Sequence, residues 1–201
     1  MELREALSHI AEIRARVAAS ERFRGYRALP VASSGVLAIL IAVVQPQVVP
    51  NPAADLPSYR ALWIVAAVLG AAAAGSGVAL RHRNGREPLA RELTLLAISQ
   101  FAPCLAAGVL VTAALARHAP EVGWALPGLW QVLFGLGVFA SWRLLPRAIV
   151  GVGVFYLIAG AVNLALGPVA LSPWSMGLPF GLGQLTTAAV LYWNLERDHA
   201  D

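Results

Sequence analysis

Charge is what this chain has least of. Only 13% of its 201 residues are Asp, Glu, Lys or Arg, about half the ~25% usual in soluble domains and too little to clothe a water-facing surface. Lysine is missing altogether, so all 15 basic residues are arginine. Cysteine occurs once, as Cys104 inside an apolar stretch; no internal disulfide can form, and such a thiol reads as a small packed hydrophobe. These shortages exclude a soluble enzyme, a secreted disulfide scaffold and a disordered tail. The absence of lysine beside abundant Ala, Gly and Arg points to a GC-rich bacterial genome.

What is there is apolar. Hydrophobic residues make up 58% of the chain, and the mean hydropathy is +0.67. A bilayer span takes about 20 apolar residues. Six such segments are predicted, at 28–47, 60–80, 93–115, 123–144, 148–167 and 176–195. The first join, Gln45 to Ser58, carries Pro46, Pro50, Pro52 and Pro57 and reads as an irregular loop. The join at Leu145–Arg147 is so short that the fourth and fifth spans must form an antiparallel hairpin. The expected fold is therefore an all-α polytopic membrane protein. Residues 1–27 form a cytoplasmic amphipathic helix and connector, 28–195 a six-helix transmembrane bundle, and 196–201 a short cytoplasmic tail.

The positive charge sets the orientation. A net +4 would suggest nucleic acid in a soluble protein, but here the arginines cluster beside the spans, so no nucleic-acid partner is expected. Thirteen lie on one side: Arg4, Arg14, Arg16, Arg22, Arg24 and Arg27, then Arg81, Arg83, Arg86 and Arg91, then Arg143, Arg147 and Arg197. Only Arg60 and Arg117 lie on the other. The positive-inside rule then puts both termini in the cytoplasm. Tyr59, Trp63, Trp124, Trp130 and Trp174 fall near the outer boundary, and Tyr26, Trp142, Tyr192 and Trp193 near the inner one, the levels amphipathic rings prefer.

Inside those boundaries the ionisable groups that carry intramembrane chemistry are missing. Asp, Glu and His are absent from the spans, and arginine occurs only near their ends. This argues against proton-coupled transport, axial haem ligation and a metal site, and no cofactor is expected. Ala74-Gly-Ser-Gly77 resembles the serine loop of an intramembrane protease, but a nucleophilic Ser76 needs a base within hydrogen-bond reach, and no span carries a histidine. Gly177-Leu-Pro-Phe-Gly181-Leu-Gly183 lacks the lysine of a phosphate-binding loop.

Three amides stand out in the last three spans: Gln131, Asn163 and Gln184. Two roles fit them. They hydrogen-bond between helices, or they line a polar cavity for a neutral or lipid-like ligand. Pro103, near the middle of the third span, predicts a kink, with Ser99 and Gln100 near the freed backbone groups. Small residues at helical spacing, Gly137 with Ser141 and Gly177 with Gly181, predict close helix contacts, within one chain or between copies in a homo-oligomer.

At the amino terminus Leu3, Leu7, Ile10, Ile13 and Val17 recur at spacings of three and four, the pattern of an amphipathic helix. Its stripe can lie on the bilayer, on the bundle or on a cytoplasmic partner held through residues 2–18. The function expected from all this is that of a non-catalytic bacterial inner-membrane protein acting through protein or lipid contacts. The alternative is a small oligomeric carrier or channel for a neutral or amphiphilic solute.

Overall fold

The computed structural model describes residues 28–83 and 88–196. The predicted amphipathic helix in residues 1–27 and the tail from residue 197 lie outside them. Six α-helices account for most of the rest: α1 (Ala28–Val48), α2 (Leu56–Arg83), α3 (Pro88–His118), α4 (Leu126–Ala140), α5 (Ile149–Leu166) and α6 (Pro173–Leu191). Short 3-10 turns, Pro120–Ala125, Trp142–Leu144 and Gly167–Leu171, join them, and a π-turn (Tyr192–Glu196) extends α6. No strand occurs among the described residues.

The helices begin where proline permits. Pro57, Pro88, Pro127 and Pro173 occupy the first or second position of α2, α3, α4 and α6, where a missing N–H is harmless and the fixed φ is already helical. This is why α2, α3 and α6 start three to five residues before their predicted apolar runs. The helix α1 also runs on through Pro46 to Val48, so Gln45, where the predicted first span and the predicted loop overlap, belongs to the helix. At α2 the Asp55 carboxylate accepts the Ser58 backbone N–H at 3.1 Å and caps the first turn. The Ser58 hydroxyl and then this N–H hold the Asp55 pKa below the ordinary carboxylate value. Gly167 ends α5 at φ +60°, a left-handed conformation that suits glycine.

Five segments are long and apolar enough to cross a bilayer: Ala28–Val48, Leu56–Ala73, Ile98–His118, Pro120–Ala140 and Ile149–Leu171. The sixth predicted span is not among them. The 19 residues of α6 include Pro173, Pro179, Gln184, Thr186 and Thr187, which dilute its hydropathy.

Packing registers show the architecture. Along α1 and α6, Gln45 meets Leu171, while Gly177 faces Ala42, Gly181 faces Ile39, and Gly35 faces Gln184. Ala28 and Val31 cluster with Ala188 and Leu191. The two helices are thus antiparallel over their whole length. The hairpin predicted for α4 and α5 is also present, with Gly128 against Gly160 and Gly135 against Gly153. These two pairs form the centre; α2 packs outside α1, and α3 outside α4. The end of the bundle holding the α1–α2, α3–α4 and α5–α6 joins is called upper below, and the opposite end lower.

Candidate functional site

The described residues concentrate their interhelical polar contacts at the upper end, and a proline organises them. Pro179 lies inside α6, two turns in, rather than in the first turn that the apolar run suggested. It has no N–H for the carbonyl of Ser175 four residues earlier. Two amides from neighbouring helices take that carbonyl instead: Gln131 Nε2 of α4 donates to it at 2.7 Å, and Asn163 Nδ2 of α5 at 2.9 Å. Asn163 Nδ2 also donates to Gln131 Oε1 at 2.9 Å. Gln131 Nε2 stands 3.8 Å from Met176 Sδ. Hydroxyls of Ser172 and Ser175 pair at 2.8 Å. Both amides are buried, Gln131 completely. A freed carbonyl buried away from water needs a donor from a neighbouring element.

A second knot ties α1, α2 and the 3-10 turn before α6. Gln45 Nε2 donates to the Leu171 carbonyl at 2.9 Å, and the Trp63 indole N–H donates to Gln45 Oε1 at 2.9 Å. Around it Val49, Tyr59, Trp63, Leu171 and Met176 form a buried cluster, with Trp124, Trp130 and Phe180 packed against it. A third link joins α3 to α4, where Trp130 Nε1 donates to Thr112 Oγ1 at 2.8 Å. The aromatic residues predicted for the outer boundary are therefore mostly turned inward: Tyr59 and Trp63 are buried, and Trp174 is exposed. The Trp63 indole finds its acceptor in Gln45 and the Trp130 indole in Thr112, while the buried Tyr59 hydroxyl has no partner among the described residues.

Of the three predicted amides, the structure brings Gln131 and Asn163 together and leaves Gln184 apart. Gln184 lies nine residues beyond Ser175 along α6, about 14 Å at the helical rise, and packs on Gly35 of α1. Gln184 therefore stands more than two helical turns from the other two amides. Gln45 is the member of this upper set that sequence reading missed. Its signal was its place on the face Ala28, Val31, Gly35, Ala38, Ala42, Gln45, which the Pro46 loop reading cut short.

The middle of the bundle is aromatic. Phe134 stacks against Phe101, Tyr156 and Phe180 with centroids 5.1, 4.8 and 5.4 Å away. The rings sit in glycine notches. A Cβ on Gly137 would stand 2.6 Å from the Phe101 ring, and one on Gly183 would collide with the Tyr156 hydroxyl. Ser141 bonds back to the Gly137 carbonyl at 3.1 Å, so this predicted pair acts at the end of α4 and against α3. Gly177 and Gly181 face α1. In α3, which continues through Pro103, the Ser99 hydroxyl bonds to the Leu96 carbonyl at 2.8 Å, and buried Gln100 Oε1 has no partner among the described residues. The side chain of Ser76 lies outside the described residues.

The lower end differs. Between the start of α1 and the end of α6 opens an apolar groove of about 470 Å³, lined by Ala28, Leu29, Ala32, Leu185, Ala189 and the Tyr192–Trp193 pair among others. Among the described residues, no group of three His, Cys, Asp or Glu side chains could hold a metal ion. No protein-family model matches the chain, and no curated protein or solved structure shows detectable similarity to it.

Proposed function

We propose that this is a multi-pass protein of the bacterial inner membrane, non-catalytic, which works through protein or lipid contacts. In this reading α6 is the sixth span. It runs antiparallel to α1 from the Gln45–Leu171 contact to the Val31–Leu191 level, and its 19 residues cover about 28 Å at the helical rise, close to the ~30 Å hydrocarbon core. The thirteen-to-two arginine bias supports a cytoplasmic lower end carrying both termini.

The observation that carries the non-transport reading is the fate of Gln131 and Asn163. They satisfy each other and the Ser175 carbonyl, which supports a static role over the lining of a solute path. A cytoplasmic partner or a second copy of the chain is then the natural object of contact. Labelling tests the arrangement. With Cys104 replaced, single cysteines at Ser58 and Val169 should react with impermeant maleimide in intact cells, and one at Ala148 only after lysis. Labelling of Ala148→Cys in intact cells would overturn the orientation.

A carrier for a neutral or amphiphilic solute is the second reading. It is favoured by α3, where Pro103 frees a carbonyl and the buried Gln100 Oε1 has no partner among the described residues. Solute flux in reconstituted vesicles that exceeds empty vesicles and is lost in Gln100→Leu would establish it over the contact reading.

A further inference from the structure

We infer that the lower-end groove between α1 and α6 is the docking seat of the chain's own residues 2–18. The groove is apolar and open. Leu29 on its wall is 78% exposed, more than any other large hydrophobic residue among those described, and Trp193 on its rim is 61% exposed. Ala28, where the described chain begins, forms one edge of the groove. Residues 1–27 are covalently joined to the chain at this edge.

The sequence of that segment matches the seat. Leu3, Leu7, Ile10, Ile13 and Val17 make one apolar stripe, and Ser8 and Glu12 fall on the opposite face. A helix of this length is marginal alone in water and needs an apolar surface to cover its stripe. The nine residues 19–27 that follow reach at most ~30 Å, enough for the stripe to fold back over the groove. The tether makes the contact intramolecular, with an effective concentration in the millimolar range that a free partner must exceed. A cytoplasmic protein that binds residues 2–18 would thus compete with the groove. The docking itself does not depend on which side of the membrane the lower end faces.

The test uses the full chain in lipid nanodiscs with Cys104→Ala. Ala189→Cys is paired in turn with Leu7→Cys, Ile10→Cys and Ile13→Cys, and with Ser8→Cys and Glu12→Cys as off-face controls. At least one stripe pair should cross-link within a monomer several-fold more than both controls. Stripe pairs no better than the controls would overturn the inference, as would cross-links found only between differently tagged copies. The variant Leu7→Glu/Ile10→Glu, which keeps the tether, should raise labelling of Ala189→Cys by a lipid-soluble maleimide several-fold. An unchanged rate would mean that lipid, not this segment, fills the groove, and would also overturn it.

Discussion

The two ends of this bundle are built on different terms. At the upper end, amides, indoles, a hydroxyl and backbone carbonyls from all six helices and a 3-10 turn bond across helix boundaries. At the lower end, the described side-chain hydrogen bonds stay within single helices, such as Thr187 to Gly183 and Asn194 to Val190. Two glycines of α5 differ in the same sense, although Gly153, also toward its foot, meets the Phe139 ring at 3.0 Å. Gly160, near the top of α5, is closed by the backbone of α4, whereas Gly151, near its foot, has nothing within 4 Å. Trp142, Tyr192 and Trp193 at the lower end are exposed, while Tyr59 and Trp63 at the upper end are buried. One end is clamped, and the other is left available for contact.

The strongest way to break this comparison is to force apart what glycine holds together. A Cβ at Gly160 would stand 2.7 Å from both the Gly128 carbonyl oxygen and Val132 Cγ2, and backbone cannot yield as a side chain does. Gly160→Ala should lose about 3 kcal/mol, the upper range for overpacking, by denaturant titration in micelles. Gly151→Ala should gain up to about 1 kcal/mol from helix propensity. Equal effects would show that α4 and α5 are not held in close contact at Gly160.

Next in size are the amides. Asn163→Leu removes two bonds around the Ser175 carbonyl and should cost about 1–2 kcal/mol, given the modest worth of hydrogen bonds between membrane helices. Gln184→Leu should stay within about 0.5 kcal/mol. Because Gln131 and Asn163 are each other's partners, the Gln131→Leu/Asn163→Leu double variant should cost less than the sum of the singles. Strict additivity in the same unfolding assay would show that the clamp is not one unit.

The smallest effect concerns the cap of α2. Asp55 has its folded pKa lowered by the hydrogen bonds to Ser58. The cap's contribution is therefore present above the unfolded carboxylate pKa and lost as pH falls through the lower folded value. Amide exchange in the first turn of α2 should quicken across that acid range in the natural chain. Asp55→Asn, which keeps an acceptor without a charge to titrate, should flatten the dependence.

Much of the fold could be read from the residues. The apolar runs identify the helices, and proline explains their early starts. The antiparallel α4–α5 hairpin follows from the short join at Leu145–Arg147. The clamp was legible only in pieces. Gln131, Asn163 and Pro179 each stand out in an apolar chain, but periodicity cannot reveal that a carbonyl freed by Pro179 is what the two amides bind. That link joins three helices and depends on their tertiary registers. Gln45 was hidden by a local signal, since Pro46 suggests a loop while the small-residue face continues through it. The burial of Tyr59 and Trp63 escaped for a related reason: a ring's depth along a helix is readable from sequence, but its rotation toward lipid or core depends on the partner helix.

The contrast between clamped and open ends meets its most direct test in hydrogen–deuterium exchange of the natural protein in nanodiscs. Peptides covering 44–49, 126–131 and 160–176 should exchange about tenfold or more slowly than those covering 28–33, 142–149 and 188–194, since two or three interhelical bonds of 0.6–1 kcal/mol oppose opening. Exchange that is equal at the two ends, or faster at the upper one, would contradict the account.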